Sequence, residues 1–173
     1  NPKSETIENL ELKIKNYEGK VNEVVLTAIN TEAFGFDTGE KFIDLIDMTI
    51  KKTKIERISF GSIHPWSLNN EFLDYYRKVL PLKRIVNFFH VPIQSGSNKN
   101  LDLMKRGYTS EGMLEKLNKL HKINPLALIA TDVIVGFLDE SDKDFQDTYD
   151  FLEKSPISKF HIFRFSKRSN TAA

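Results

Sequence analysis

The stretch ALIATDVIV, residues 127–135, decides the fold class. A near-continuous apolar run of this kind is typical of a parallel strand that is buried on both faces. Helical patterns flank it on both sides. Thr109 can cap the helix before it, and Ser141 with Asp144 three residues later forms an imperfect capping box for the helix after it. In the helix that follows Ser141, we expect one apolar stripe to face inward. The stripe consists of Phe145, Tyr149 and Leu152.

The same alternation of helix and strand extends over the whole chain. The predicted strands cover residues 23–27, 57–62, 88–93, 127–135 and 160–165, and a helical pattern precedes each of them. Such alternation implies parallel strands joined by right-handed crossovers. We therefore predict an α/β fold, a partial barrel of five αβ units in one domain over residues 1–173. An open doubly wound sheet is the competing architecture, because alternation alone does not separate the two.

The composition narrows the classes of function. A net charge of +1 over 173 residues argues against a surface that binds nucleic acid by charge alone. The chain has no cysteine, which excludes disulfides, a thiol nucleophile and an iron–sulfur cluster held by the chain itself. No apolar run approaches the roughly 20 residues that a membrane helix needs. The absence of disulfides is compatible with a cytoplasmic protein, and both ends of the chain are expected to be cuts in a longer one.

Polar and small residues follow every predicted strand. In parallel α/β folds the active site lies at the carboxyl ends of the strands, where a polar ligand requires hydrogen-bonding groups. Examples along the chain are Thr27, Asn30, Ser62, His64, Gln94, Ser95, Gly136 and Ser166. Because loops are polar in any case, this pattern alone leaves a ligand site and ordinary loop composition both open.

Two of these loops have competing explanations. Residues 94–97, Gln-Ser-Gly-Ser, could cradle a carboxylate or a ribose through backbone N–H groups and hydroxyls. Alternatively Ser95 or Ser97 caps the segment near residues 99–104, and the two roles can coexist. His64 could donate to a ligand or act as an acid–base, or it could be an ordinary loop residue before a proline.

Ionisable residues inside the predicted strands form a second group of candidates. Asp132 stands in an apolar strand, where a carboxylate is costly unless it is paired or faces a polar interior. Arg164 is a similar case, and a pair between neighbouring strands would satisfy both. We interpret His90 and His161 as structural, which leaves Asp132 the stronger site candidate.

Five stretches, taken together and in order, carry a family resemblance. They are VVLTAINTEAFGFDTG (24–39), ISFGSIHP (58–65), HVPIQSGSNKNLDLMKRGYT (90–109), TDVIVGFLDESDKDFQDT (131–148) and FRFSKRSNTAA (163–173). The third is highly specific. Together they resemble the radical-SAM methylthiotransferase family, whose members modify tRNA adenosines and one ribosomal protein.

The resemblance implies a six-stranded partial barrel. In the family a 4Fe–4S cluster on a CxxxCxxC motif binds and cleaves S-adenosylmethionine, and the resulting radical abstracts hydrogen before sulfur and a methyl group are installed. The implied partner is tRNA, and TEAFGFDTG is closest to members that act on threonylcarbamoyladenosine. Isopentenyladenosine and a ribosomal-protein aspartate stay open as substrates. The CxxxCxxC strand, an auxiliary-cluster domain and an RNA-binding domain are expected outside this chain, which alone is expected to be inactive.

The resemblance also implies a set of residues that bind S-adenosylmethionine. They are Thr27, Asn30, Ser62, His64, Gln94, Ser95, Asp132, Gly136 and Arg164. Thr27 and Asn30 would lie beside its methionine end, and Gly136 would let the backbone approach the adenosyl group. No catalytic residue and no metal ligand is assigned within the chain. Two other functions stay open: a cluster-less module that binds S-adenosylmethionine or RNA, and an unrelated α/β barrel lyase or isomerase.

Overall fold

Helices and strands alternate along the chain in a computed structural model that describes residues 3–28 and 31–167. The elements are α1 (Ile7–Lys15), β1 (Glu23–Leu26), α2 (Phe42–Lys52), β2 (Arg57–Phe60), α3 (Asn70–Val79), β3 (Phe88–His90), α4 (Asn98–Leu103), α5 (Ser110–Ile123), β4 (Leu128–Val135), α6 (Asp142–Lys154) and β5 (Lys159–Arg164). The five predicted strands are confirmed in order, although β3 is shorter than expected. Caps predicted from the sequence are confirmed at Thr109 and Ser141. Asn69 caps α3 in the same way.

The chain forms two compact units, which divide between Phe88 and Phe89. In the first unit β1 and β2 pair in parallel, and a further parallel bridge joins Ile58 to Ile85. Its helices pack apolar faces on this sheet because α1 and α2 carry aliphatic residues three and four positions apart. A core cluster there consists of Ile14, Leu45, Met48 and Ile55.

The second unit contains a sheet in the order β3-β4-β5. Strands β4 and β5 pair in parallel from Ala130 opposite Lys159 to Val135 opposite Arg164. Four of the eight residues of β4 are buried and three more are half-buried, whereas all of β5 is exposed. The parallel strands and unclosed sheets confirm the prediction of an α/β partial barrel. No helix within residues 3–28 and 31–167 is long and apolar enough to cross a membrane.

The apolar stripe of α6 faces β4 and β5, as predicted, but it is not the buried face of the helix. Phe145 and Tyr149 are more than half exposed, whereas Asp144, Thr148 and Phe151 are buried. The physical reason is the neighbouring segment at Gly96: a Cβ there would lie 2.5 Å from the Phe151 Cβ and 2.8 Å from the Thr148 Cα. Hydrogen bonds from this segment to Thr148 and Asp144 hold these polar residues inside. The apolar stripe borders an open cleft of about 360 Å³ beside the sheet.

Candidate functional site at the strand ends

Gln94 connects the loop after β3 to the neighbouring strand β4. Its backbone N–H donates to the Asp132 carbonyl at 2.9 Å, and its own carbonyl accepts the Ile134 N–H at 2.8 Å. Its φ is +70°, in the left-handed region that costs a non-glycine residue roughly 1–2 kcal/mol. Since such conformations cluster at ligand-binding segments, Gln94 is the strongest candidate on this edge of the sheet.

Gly136 lies directly after β4 at the same edge of the sheet. Its φ is +71°, and a Cβ at this position would meet no atom within 4 Å. Glycine is therefore required by the backbone conformation and not by crowding, and the surrounding space is open. The Gly136 N–H donates to the carboxylate of Glu140, which also accepts the Asn100 side-chain amide at 2.8 Å. A ligand that approaches this N–H would have to displace Glu140.

The two serines of residues 94–97 have structural roles. Ser97 caps α4 by accepting the Asn100 N–H, as one of the two predicted explanations requires. Ser95 is 1% exposed, and its hydroxyl lies 3.1 Å from the Thr148 hydroxyl and accepts the Ser97 N–H. The Ser95 hydroxyl therefore points into the packing between this loop and α6, and its contact with a cofactor stays a prediction.

Asp144 at the start of α6 is the most heavily hydrogen-bonded carboxylate of this region. It accepts the hydroxyls of Ser97 and Ser141, the Ser141 N–H and the Lys99 ammonium, at 2.6 to 2.9 Å. These donors, the Ser141 hydroxyl first, hold the pKa of the Asp144 carboxyl far below its ordinary value. A cleft of about 690 Å³ opens beside this network on the helical side. Its lining does not include Gln94 or Gly136.

Asp132 brings together three strands. Its Oδ1 lies 3.1 Å from Nε2 of His90 on β3 and 3.2 Å from Nδ1 of His161 on β5. The pairing register places His161 directly opposite Asp132, while Arg164 lies opposite Val135 on the other face of the sheet. The predicted pair between Asp132 and Arg164 is therefore wrong, because the two residues differ by an odd number of register steps.

This cluster of His90, Asp132 and His161 is the feature that sequence reasoning missed. Each strand of the sheet carries one of these residues, a signal that is visible in the sequence once the register is known. The side chains are 16%, 23% and 49% exposed in that order, so the cluster is open to solvent on the His161 side. Both rings pair with Asp132, which is compatible with the structural roles expected for these histidines, but the sequence did not show that they share this partner.

The first unit holds three further predicted residues, and Asn30 lies outside the described residues. Thr27 follows β1 and packs so closely on β2 that a Cβ at Gly61 would lie 2.4 Å from its Oγ1. Ser62 is half-buried in the loop after β2. The His64 ring stacks on Trp66 with centroids 4.2 Å apart, and its backbone N–H donates to Thr31. Thr27 and Thr31 border a cavity of about 630 Å³.

Comparison with known proteins identifies the family. The model of the radical SAM superfamily matches residues 1–152. Over 151 residues the chain is 42% identical to the threonylcarbamoyladenosine tRNA methylthiotransferase MtaB of Aquifex aeolicus (87% of this chain, 36% of that protein). It is 40% identical to the tRNA-2-methylthio-N(6)-dimethylallyladenosine synthase of Buchnera aphidicola (88% of this chain, 36% of that protein). The chain thus spans about a third of the length of these relatives.

Solved structures share the fold of this chain. The cobalamin-dependent S-adenosylmethionine radical enzyme OxsB superposes with a TM-score of 0.65 at 16% identity, covering 88% of this chain and 24% of that one. Methylornithine synthase PylB gives a TM-score of 0.62 at 12% identity, covering 96% of this chain and 46% of that one. At this level of identity the likeness concerns the fold.

Members of this family use S-adenosylmethionine together with a 4Fe–4S cluster. Such clusters are held by cysteine thiolates, and the chain has no cysteine. Its residues therefore do not fit a cluster. The space beside Gly136, in contrast, is open, and it leaves room for a polar cofactor once Glu140 is displaced. By its sequence and its fold, the chain belongs to the radical SAM superfamily, and the relatives that it matches are tRNA methylthiotransferases.

Proposed function

We propose that this chain is the core of a tRNA methylthiotransferase that uses S-adenosylmethionine to methylthiolate a modified adenosine. The observation that carries the proposal is the sequence similarity to two kinds of tRNA methylthiotransferase over most of the chain. The stretch TEAFGFDTG favours N6-threonylcarbamoyladenosine as the nucleoside, with the dimethylallyl (isopentenyl) adenosine as the alternative. Family membership leaves the unrelated lyase or isomerase without support.

The chain's own part in this reaction is to bind and orient S-adenosylmethionine. The backbone of Gln94 is hydrogen-bonded to β4 on both sides and so fixes this residue at the sheet edge, where its side-chain amide would meet a ribose or an amino-acid carboxylate. The open space beside Gly136 would admit the cofactor at the same edge. Thr27, Ser62 and His64 in the first unit, and Ser95, Asp132 and Arg164 in the second, remain predicted contacts. The absence of cysteine supports the expectation that the chain alone does not cleave its cofactor.

Two further parts of the proposal concern the partner and the location. The net charge of +1 gives the chain little electrostatic affinity for tRNA, so segments outside it would supply most of the RNA contact. A tRNA-modifying enzyme works where its substrate is, and we therefore propose a cytoplasmic location.

The test is a nucleoside analysis. The complete reading frame that encodes the chain is expressed in a bacterial strain without methylthiotransferases of its own, and the tRNA nucleosides are measured by mass spectrometry. We expect a methylthio group on threonylcarbamoyladenosine; the same group on dimethylallyladenosine would redirect the substrate assignment. Unmodified nucleosides, with a soluble and cluster-loaded protein, would contradict the enzyme and favour a module that only binds.

The matched pair of variants for this test is Gln94→Ala and Gln146→Ala. Both remove one glutamine side chain, but Gln146 is exposed on α6 and bonds to Asp150 on the same helix. We expect Gln94→Ala to lower the methylthiolated fraction severalfold, whereas Gln146→Ala retains it.

A further inference from the structure

Three side chains from three neighbouring strands converge on one oxygen atom. Asp132 Oδ1 lies 3.1 Å from a ring nitrogen of His90 and 3.2 Å from one of His161. The three candidate ligand atoms all lie within 4.8 Å of one another. The arrangement rests on β3, β4 and β5, so that the sheet itself fixes the spacing of the groups.

The chemistry of the three groups selects a class of ion. Two imidazoles and one carboxylate form the ligand set of many catalytic zinc sites and of non-haem iron(II) sites. Calcium and magnesium prefer oxygen ligands and are disfavoured by two nitrogen donors. Soft ions that require thiolates are disfavoured as well, because the chain has no cysteine.

The observed spacing is close to that of a filled site. Two ligands at the corners of a tetrahedron, with bonds of about 2.1 Å, are about 3.4 Å apart. The two nitrogen–oxygen separations of 3.1 and 3.2 Å are only slightly shorter. His161 is 49% exposed, so its ring can turn to bring its nitrogen closer to that of His90. Solvent access on this side leaves a fourth position for water.

We propose that His90, Asp132 and His161 form a mononuclear site for a divalent transition-metal ion, zinc(II) or a chemically similar one. The site is separate from any iron–sulfur cluster, whose thiolate ligands this chain lacks. It does not depend on the proposed methylthiotransferase activity, because all three ligands are side chains of this chain and none is a substrate. The competing explanation is a carboxylate that only accepts hydrogen bonds from two imidazoles.

The test uses cobalt(II) as a spectroscopic probe of the 173-residue chain, without S-adenosylmethionine. We expect the chain to bind one cobalt(II) ion. The bound ion should show visible ligand-field absorption bands typical of nitrogen and oxygen ligands, and zinc(II) should displace it. Replacement of the half-exposed ligand in His161→Asn should weaken binding at least tenfold. The matched control His121→Asn changes an exposed histidine on α5 and should leave the affinity unchanged.

A second measurement on the unchanged sequence keeps the proposal falsifiable if a variant fails to fold. In nitrogen-15 spectra of the histidine side chains, zinc(II) should shift Nε2 of His90 and Nδ1 of His161 and leave His64 and His121 in place. The absence of stoichiometric binding, equal affinity of the two variants, or shifts at His64 or His121 instead would overturn the assignment.

Discussion

Two aspartates of the second unit, Asp144 and Asp132, are surrounded in opposite ways. Asp144 is almost fully buried, and hydroxyl, amide and ammonium groups donate to both of its oxygens. Asp132 is more open, and two imidazoles from neighbouring strands meet at a single one of its oxygens. A carboxylate saturated by fixed donors holds the fold together, whereas one placed between two nitrogen bases retains capacity for an external ligand.

Asp144 therefore contributes to stability and Asp132 to function, although both lie in the same stretch of the sequence from β4 to α6. The network of Asp144 joins the loop at residues 95–97 to α6 and α4, and therefore supports the backbone that presents Gln94. The cluster of Asp132 joins three strands that the sheet already holds in register. We expect substitutions around Asp144 to affect unfolding, and substitutions at Asp132 to affect ligand binding.

The largest effect is expected for Asp144→Ala. The substitution leaves the Ser97 hydroxyl, the Lys99 ammonium and the Ser141 N–H without their acceptor. We expect the melting temperature to fall by roughly 10 °C in a thermal unfolding experiment. Asp147→Ala is the control, because its partner Lys143 is an exposed neighbour on the same helix and should matter little. Equal losses in the two variants would contradict the structural role of Asp144.

The next largest effect on stability is expected for Gly96→Ala. The added methyl group would overlap the Phe151 side chain and the backbone of α6 at Thr148, so the loop or the helix has to move. Overpacking of this kind costs about 1–3 kcal/mol, measurable by urea unfolding. Gly112→Ala is the matched control: its new methyl group meets only the Thr109 hydroxyl, at 3.3 Å, and alanine favours the helix. A Gly96→Ala variant as stable as Gly112→Ala would show that the close packing is incorrect.

The pH dependence of stability should also depend on Asp144. Hydrogen bonds from Ser141, Lys99 and Ser97 hold its pKa in the folded state below the unfolded value of roughly 3.9. The charged form therefore stabilises the fold above about pH 4, and this contribution is lost as the pH falls below that value. Urea midpoints measured from pH 7 downwards should decline below pH 4, and Asp144→Asn should flatten that decline. An unchanged slope in the variant would point to other carboxylates.

The smallest effect on stability is expected for Asp132→Asn. The side chain keeps its size and one acceptor oxygen, and the strands stay paired through their backbones. We expect the free energy of unfolding to change by less than about 1 kcal/mol, while cobalt(II) binding is lost. A large loss of stability with intact metal binding would reverse the comparison between the two aspartates.

The sequence predicted the fold more completely than the site, and particular residues show why. The apolar run of β4 and the caps at Thr109 and Ser141 are local signals, so they could be predicted directly. The buried polar face of α6 could not be predicted, because Asp144 and Thr148 are held inside by hydrogen bonds from Ser95, Gly96 and Ser97, which are remote in sequence. The cluster around Asp132 required the register of three strands, which no stretch of one strand contains. The positive φ of Gln94 has no sequence signal, because glutamine has no preference for that conformation.

The most direct test of the central claim, that the ends of these strands bind S-adenosylmethionine, is a calorimetric titration of this cofactor into the chain. The account predicts saturable binding of one molecule per chain, at least tenfold weaker in Gln94→Ala and unchanged in Gln146→Ala. A folded chain that shows no saturable binding, or one that binds equally well with and without the Gln94 side chain, would contradict it.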